Sequence, residues 1–194
     1  NKIYIALLPI LSLLLFMGII NYYYLNKINI STSNLIDIEK KSTTYNEVQY
    51  GIIRILEIND YLFEGYWGMY EFYENEVNVI SKNIVKLEQL LATDFERLQL
   101  KSIKETYTKY YEVVANFNVN KFSLNFSEIE KETSARINII QPELLKRMQL
   151  VSDYYKKELG QAIIVTKYTK LRSQNIILVV SILAILITIL FFLV

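Results

Sequence analysis

The sequence predicts an all-α protein: an antiparallel up-down-up-down four-helix bundle whose first and last helices continue into two transmembrane helices. Residues 3–20 and 176–194 are apolar runs without a charged residue, and each is long enough to cross a bilayer as a helix. Glycine occurs five times and proline twice, too rarely for the turns of a sheet protein. Between the two runs, apolar residues recur at steps of three and four, the spacing of packed helices.

The two apolar runs divide the chain into three predicted domains. Residues 3–20 are predicted to be a retained transmembrane helix, because their apolar core is 18 residues long and that of a signal peptide is about 7 to 15. Residues 176–194 are predicted to be the second transmembrane helix, and residues 21–175 an extracytoplasmic sensor domain. We expect a signalling module beyond the second helix, since the chain begins with Asn and ends inside an apolar run.

Local signals set the helix boundaries inside the sensor domain. Thr93 with Glu96, and Ser127 with Glu130, match the capping box that starts a helix. The cluster of Asn59, Asp60, Gly65 and Gly68 predicts a turn within residues 60–68. The four predicted helices therefore run from the first apolar run to about Leu62, from about Tyr66 to Ala92, from Asp94 to about Asn118, and from Ser127 into the second apolar run.

Pro142 lies inside the predicted fourth helix. Proline removes one backbone donor, so this helix should kink or be interrupted near residues 139–141. The alternative is a helix that ends there and restarts with Pro142 in its first turn.

Composition argues against an enzyme and against nucleic-acid binding. Residues 21–175 contain equal numbers of basic and acidic residues, and these alternate along the chain. Cysteine and histidine are absent, which excludes disulfides and thiolate catalysis and removes the commonest general base and metal ligand. No catalytic pair, metal-ligand spacing or phosphate loop is present, so no cofactor is predicted. The acidic cluster of Glu71, Glu74 and Glu76 is interpreted as a solvated face.

The unequal predicted helix lengths indicate a homodimer. A first helix of about 42 residues outside the membrane outruns the second and third, leaving a two-helix stalk near the bilayer. Two helices alone are marginally stable. The stalk is therefore expected to bury apolar residues against a second copy: Leu25, Ile28, Leu35 and Ile38.

Two anchors around a four-helix stretch of 155 residues (21–175) resemble the sensory domain of bacterial methyl-accepting chemotaxis receptors. The resemblance covers the whole chain and rests on architecture and length. It implies an extracytoplasmic bundle that dimerises through its first and last helices, with a HAMP linker and a cytoplasmic signalling module after the second anchor. It also implies a small ligand such as an amino or organic acid, bound at the dimer interface. The alternatives are the sensor of a histidine kinase and a ligand-free structural bundle.

Arg54 and Arg136 are the first candidate ligand-binding residues. Counted from the predicted turns, they lie at the same height of the bundle, where two guanidinium groups could clamp a carboxylate. The alternative is that Arg54 pairs with Glu57 or Glu47, and Arg136 with Glu132.

Aromatic residues within positions 61–73 are the second candidate site, with Tyr61, Trp67 and Tyr70 as its central members. Exposed rings could bind an apolar or aromatic ligand, or a partner protein. The alternative is that these rings close the end of the bundle core.

Overall fold

The computed structural model describes the backbone of residues 2–120 and 126–193, and the side chains of residues 11–66, 68–120 and 126–190. These residues form helices and short connections without a strand, which confirms the all-α prediction. The elements are α1 (Lys2–Phe63), a 3₁₀ helix (Trp67–Met69), α2 (Tyr70–Leu90), α3 (Asp94–Asn120) and α4 (Phe126–Leu193).

The chain divides into two compact units, and α1 and α4 contribute to both. Unit 1 combines Asn1–Ile38 with Glu158–Val194, and unit 2 is Glu39–Lys157. Unit 2 has a continuous apolar core because each of its four helices turns one face inward at helical spacing. The most deeply buried core residues include Tyr45, Val48, Ile52, Ile55 and Leu62 of α1, Tyr73, Ile80 and Leu87 of α2, Ile103, Tyr110, Val114 and Phe117 of α3, and Leu144 and Met148 of α4.

The turn after α1 lies within the predicted residues 60–68. Gly65 adopts a φ of +91°, a left-handed conformation that glycine tolerates best. The N–H of Tyr66 donates to the carbonyl of Tyr61 at 3.0 Å and closes the turn. Because Trp67–Met69 then forms a 3₁₀ helix, α2 begins at Tyr70, four residues later than predicted.

The predicted capping box at Thr93 and Glu96 is confirmed. The Thr93 hydroxyl accepts from the N–H of Glu96 at 3.1 Å, and the Glu96 carboxylate accepts from the N–H of Thr93 at 2.9 Å. This carboxylate also accepts from the N–H of Ala92 at 3.0 Å and pairs with Lys41 of α1 at 3.1 Å. The local cap thereby becomes a buried junction between α1 and the α2–α3 connection.

The start of α4 differs from the second predicted capping box. α4 begins at Phe126, so Ser127 lies inside its first turn rather than at the cap position. The Phe126 ring lies 5.4 Å from that of Phe117, which anchors this end of α4 by packing.

α4 is also continuous through Pro142, so the predicted interruption near residues 139–141 and the alternative restart at Pro142 are wrong, whereas the predicted kink stays a prediction. Buried Ile137 and Leu144 on either side of the proline hold both halves of the helix on the core.

Unit 1 is formed by the remaining parts of α1 and α4. The Ser31 hydroxyl lies 3.0 Å from that of Thr166, and small residues of α4 are buried at Ala162, Ser173 and Ala184. Of the predicted stalk contacts, Leu25 is exposed, and Ile28, Leu35 and Ile38 are partly buried.

Among the described residues, one helix is long and apolar enough to cross a membrane. It lies within Phe126–Leu190 and contains an 18-residue window with a mean hydropathy of 2.4, of which 11% is buried. The other predicted span, residues 3–20, includes side chains outside the described residues and stays a prediction.

Gly51 marks a close approach of α1 to α2. A Cβ atom built on Gly51 would lie 2.6 Å from Cγ1 of the buried Ile80 side chain. A Cβ atom on Gly160, within α4, would meet nothing within 4 Å. Alanine at either position should raise helix propensity, but only at Gly51 would the added methyl group also clash with a neighbouring side chain.

We expect Gly51→Ala to lower the free energy of unfolding of the full chain in detergent by about 1 to 2 kcal/mol, because overpacking outweighs the propensity gain. Gly160→Ala should raise it by up to about 1 kcal/mol. Unfolding followed by far-ultraviolet circular dichroism measures both. Equal effects of the two substitutions would contradict the close approach.

Glu96 should make stability pH-dependent. Burial alone would raise the pKa of Glu96, but the hydrogen bonds from Thr93 and Lys41 hold this pKa below its usual value. Its contribution is therefore complete above the pKa of an unfolded glutamate and is lost as pH falls through the lowered folded pKa.

We expect Glu96→Gln to cost about 3 to 5 kcal/mol at neutral pH, because it leaves Lys41 buried without its carboxylate. The difference in free energy of unfolding between this variant and the parent should become smaller at acidic pH. Glu88→Gln is the matched control, since Glu88 pairs with Lys104 at an exposed site and should cost less than about 1 kcal/mol. A stability difference that stays constant down to acidic pH would contradict the lowered pKa of Glu96 in the folded protein.

Candidate ligand-binding site

One end of unit 2 is built from aromatic rings of all four helices. The Phe63 ring of α1 lies 4.4 Å from that of Phe117 on α3, and Phe117 also contacts Phe126 of α4. Tyr73 of α2 stacks on Tyr111 of α3 at 6.1 Å. We call this region, residues 61–73 with the facing residues 110–120 and 126–130, the aromatic end.

The predicted aromatic residues divide between core and surface. Tyr73 is buried and closes the core, as the alternative interpretation expected. Tyr61, Tyr66 and Phe72 are 52%, 61% and 60% exposed, as a binding surface requires. Trp67 belongs to the 3₁₀ helix, but its side chain lies outside the described residues.

Tyr70 is intermediate in exposure between the buried Tyr73 and the exposed rings. Its ring stacks on Tyr73 at 6.0 Å while 36% of the residue stays exposed. Partial burial and a hydrogen bond with Glu74 raise the pKa of Tyr70. A carboxylate thus lies directly beside an exposed ring.

The structure places Arg54 and Arg136 beside different helices. Arg54 donates to Glu76 of α2 at 2.7 Å, a partner that the sequence analysis did not identify. Arg136 donates to Glu132 of its own helix at 2.7 Å, as the alternative interpretation expected. None of the contacts between described residues joins the two arginines. A ligand carboxylate would have to compete with Glu76 or Glu132, and the proposed clamp stays a prediction.

Arg136 also lines a groove of about 230 Å³ between α3 and α4. Its polar walls come from Glu112 and Asn116 on one side and Glu132 and Thr133 on the other. Two acids and one already paired base leave this groove without an excess positive charge for an anionic ligand.

A polar layer crosses the core next to the aromatic end. The buried amide of Asn59 donates to the Tyr110 hydroxyl at 2.6 Å. Within the described part of the chain, the Asn59 carbonyl oxygen and the Tyr73 and Tyr107 hydroxyls are buried without a hydrogen-bond partner. Burial raises the pKa values of all three tyrosines, so their hydroxyls stay protonated. The sequence gave no sign of this layer.

We expect Tyr73→Phe to leave the free energy of unfolding unchanged or raise it, because it removes a buried hydroxyl that lacks a partner. Tyr110→Phe should lower it by about 1 to 3 kcal/mol, since it leaves the Asn59 amide buried and unpaired. Denaturant unfolding of the two variants measures this contrast. A larger loss for Tyr73→Phe than for Tyr110→Phe would contradict the described polar layer.

Among the described residues, no group of three or more Asp or Glu side chains could hold a metal ion. Comparison with protein-family models, with curated proteins and with solved structures finds no match to this chain.

Proposed function

We propose that this chain is the sensory module of a bacterial transmembrane receptor of the chemotaxis-receptor kind. In this proposal unit 2 lies outside the cell membrane and binds a small ligand or a partner. The observation that carries the proposal is the continuity of α4, which begins at the aromatic end, contributes Leu144 and Met148 to the core of unit 2, and includes the membrane-length apolar window. A change at the aromatic end would pass along one helix to that window.

An up-down-up-down bundle is the proposed topology of unit 2. Along α1, Glu47 pairs with Lys86 and Arg54 with Glu76, so α2 runs in the opposite direction. Along α3 the order reverses again. There, Glu96 contacts Lys41 near the start of unit 2, and Tyr110 contacts Asn59 near the end of α1.

The fourth helix, α4, runs antiparallel to α1 and so completes the alternating helix directions of the proposed bundle. Tyr45 of α1 donates to the carbonyl of Met148 and lies 5.6 Å from the Tyr155 ring, ring centre to ring centre. In unit 1 the same two helices meet at Ser31 and Thr166. Higher numbers on α4 thus accompany lower numbers on α1, as antiparallel helices require.

A homodimer through α1 and α4 is part of the same proposal. Leu25 and Ile36 on α1, and Ile163 and Ile164 on α4, are each about half exposed or more in a single copy. Such apolar side chains on a two-helix unit favour burial against a second copy or lipid.

The exposed rings of Tyr61, Tyr66 and Phe72 favour a receptor over a ligand-free structural bundle, because a purely structural end would gain stability by burying them. The sensor of a histidine kinase shares this organisation and differs in the output domain.

Cysteine labelling tests the proposed topology, since the chain contains no cysteine. Ser134→Cys introduces a thiol at an exposed position of α4 in unit 2. We expect it to react with a membrane-impermeant maleimide in intact cells. Asn1→Cys, at the opposite end of the first predicted span, is the control and should react after lysis. Labelling of Ser134→Cys that requires lysis would place unit 2 inside the cell and overturn the receptor proposal.

A further inference from the structure

The aromatic end and the chain segments that adjoin it on α1 and α2 carry a concentrated negative charge. Residues 55–76 contain six carboxylates and no lysine or arginine, in a chain whose net charge is +1. Residues 110–120 add one acid and residues 126–130 add two, again without a base. The described bases that flank these segments are Arg54, which pairs with Glu76, Lys109, Lys131, and Arg136, which pairs with Glu132 and shares a groove with Glu112. The nine carboxylates of the three segments outnumber these four bases. Lys121 lies outside the described residues.

The carboxylates at the end of α1 repel one another. Burial, together with the negative charges of Glu64 and Glu57, raises the pKa of Asp60. A cation placed among these groups would relieve that repulsion. The field at this end therefore attracts positive charge and excludes anions.

Exposed aromatic faces lie within the same region. Tyr61 and Tyr66 form an edge-to-face pair with ring centres 6.3 Å apart, and both are more than half exposed. On α2, the partly exposed Tyr70 is hydrogen-bonded to the Glu74 side chain. Ring faces attract cations through their quadrupole, and organic cations add apolar contact with the ring.

Carboxylates and ring faces together select one kind of ligand. A divalent metal needs clustered oxygen ligands, and the described residues contain no such cluster. A neutral apolar ligand would leave the carboxylates unused, and an anion would be repelled. An organic ammonium ion uses both features, since its charge is stabilised by the acids and its alkyl groups pack on the rings.

We propose that the aromatic end binds a small organic cation, whose charge is stabilised by the surrounding carboxylates and whose alkyl groups lie against Tyr61 and Tyr66. This inference rests on the proposed sensory function and names the ligand class of that sensor.

Trp67 provides the measurement, because it is the one tryptophan of the chain and belongs to the aromatic end. Choline serves as the probe, titrated into the full chain in non-ionic detergent. Its neutral isostere 3,3-dimethylbutanol has a carbon in place of the charged nitrogen. We expect choline to change the Trp67 emission saturably, with an apparent affinity that falls as salt is added. The isostere should cause no saturable change.

Matched variants separate the contributions of rings and charge. We expect Tyr61→Leu and Tyr66→Leu each to weaken choline binding about two- to fivefold. Tyr50→Leu removes a ring that is 69% exposed elsewhere on α1 and should leave the affinity unchanged. Likewise, Glu64→Gln combined with Glu74→Gln should weaken binding, whereas Glu105→Gln, an exposed acid of α3 outside the aromatic end, should have no effect.

Three results would overturn the inference: an equal response to choline and its isostere, unchanged affinity in the ring or carboxylate variants, or a response to tetralysine without one to choline. The last result would assign the surface to a basic polypeptide. None of them depends on cysteine labelling from outside the cell, so failure of the cation assignment is distinguishable from failure of the receptor topology.

Discussion

The buried Glu96 carboxylate is the interaction on which the rest of unit 2 depends. It accepts hydrogen bonds from the N–H groups of Ala92 and Thr93, pairs with Lys41 of α1, and lies 3.5 Å from the Tyr155 hydroxyl of α4. Only 4% of its side chain is exposed, so separating it from its donors would leave a charge in the core. Three helices and the α2–α3 connection are therefore held together at one point.

The hydrogen-bonding potential of the core is unevenly satisfied from one end to the other. The Glu96 carboxylate accepts hydrogen bonds from Ala92, Thr93 and Lys41. The hydroxyls of Tyr73 and Tyr107 are buried without a partner in the described part of the chain. Unpaired buried groups lower the local cost of opening. We therefore expect the part of the core around Tyr73 and Tyr107 to open more readily than the junction at Glu96, and this part adjoins the exposed rings and the excess carboxylates.

Sequence reasoning succeeded where the determinant is local. The scarcity of glycine and proline predicts helices, and the Thr93 cap depends on residues three positions apart. It failed where packing between distant segments determines a side chain's partner or the start of a helix. Helical spacing suggested Glu57 or Glu47 as the partner of Arg54, but the approach of α1 to α2 at Gly51 brings Glu76 within reach. The late start of α2 likewise depends on the closed turn and the 3₁₀ helix after it.

The candidate site was predicted by composition rather than by geometry. A dense set of rings at positions 61–73 indicated a special region, but spacing alone could not separate Tyr73, which is buried, from Tyr61 and Tyr66, which are exposed. That separation depends on which faces of α1 and α2 meet α3. The sequence favours a solvated face for the cluster of Glu71, Glu74 and Glu76, whereas the joint significance of these acids and those of α1 depends on the fold bringing both ends of the α1–α2 turn together.

The continuity of α4 through Pro142 has an energetic cost and affects where this helix can bend. Proline has no backbone N–H, so the hydrogen bond to the carbonyl of residue 138 cannot form, and such a position costs about 3 kcal/mol in a helix interior. The packing of Ile137 and Leu144 offsets this cost and keeps the helix continuous. Since bending of a helix concentrates where a backbone bond is missing, we expect α4 to bend most readily at Pro142, between the aromatic end and the junction at Glu96. In the proposed receptor, a ligand that tightens packing at the aromatic end would act on α4 above this position, and the part of α4 below it would respond through the contacts of Met148 and Tyr155 with α1.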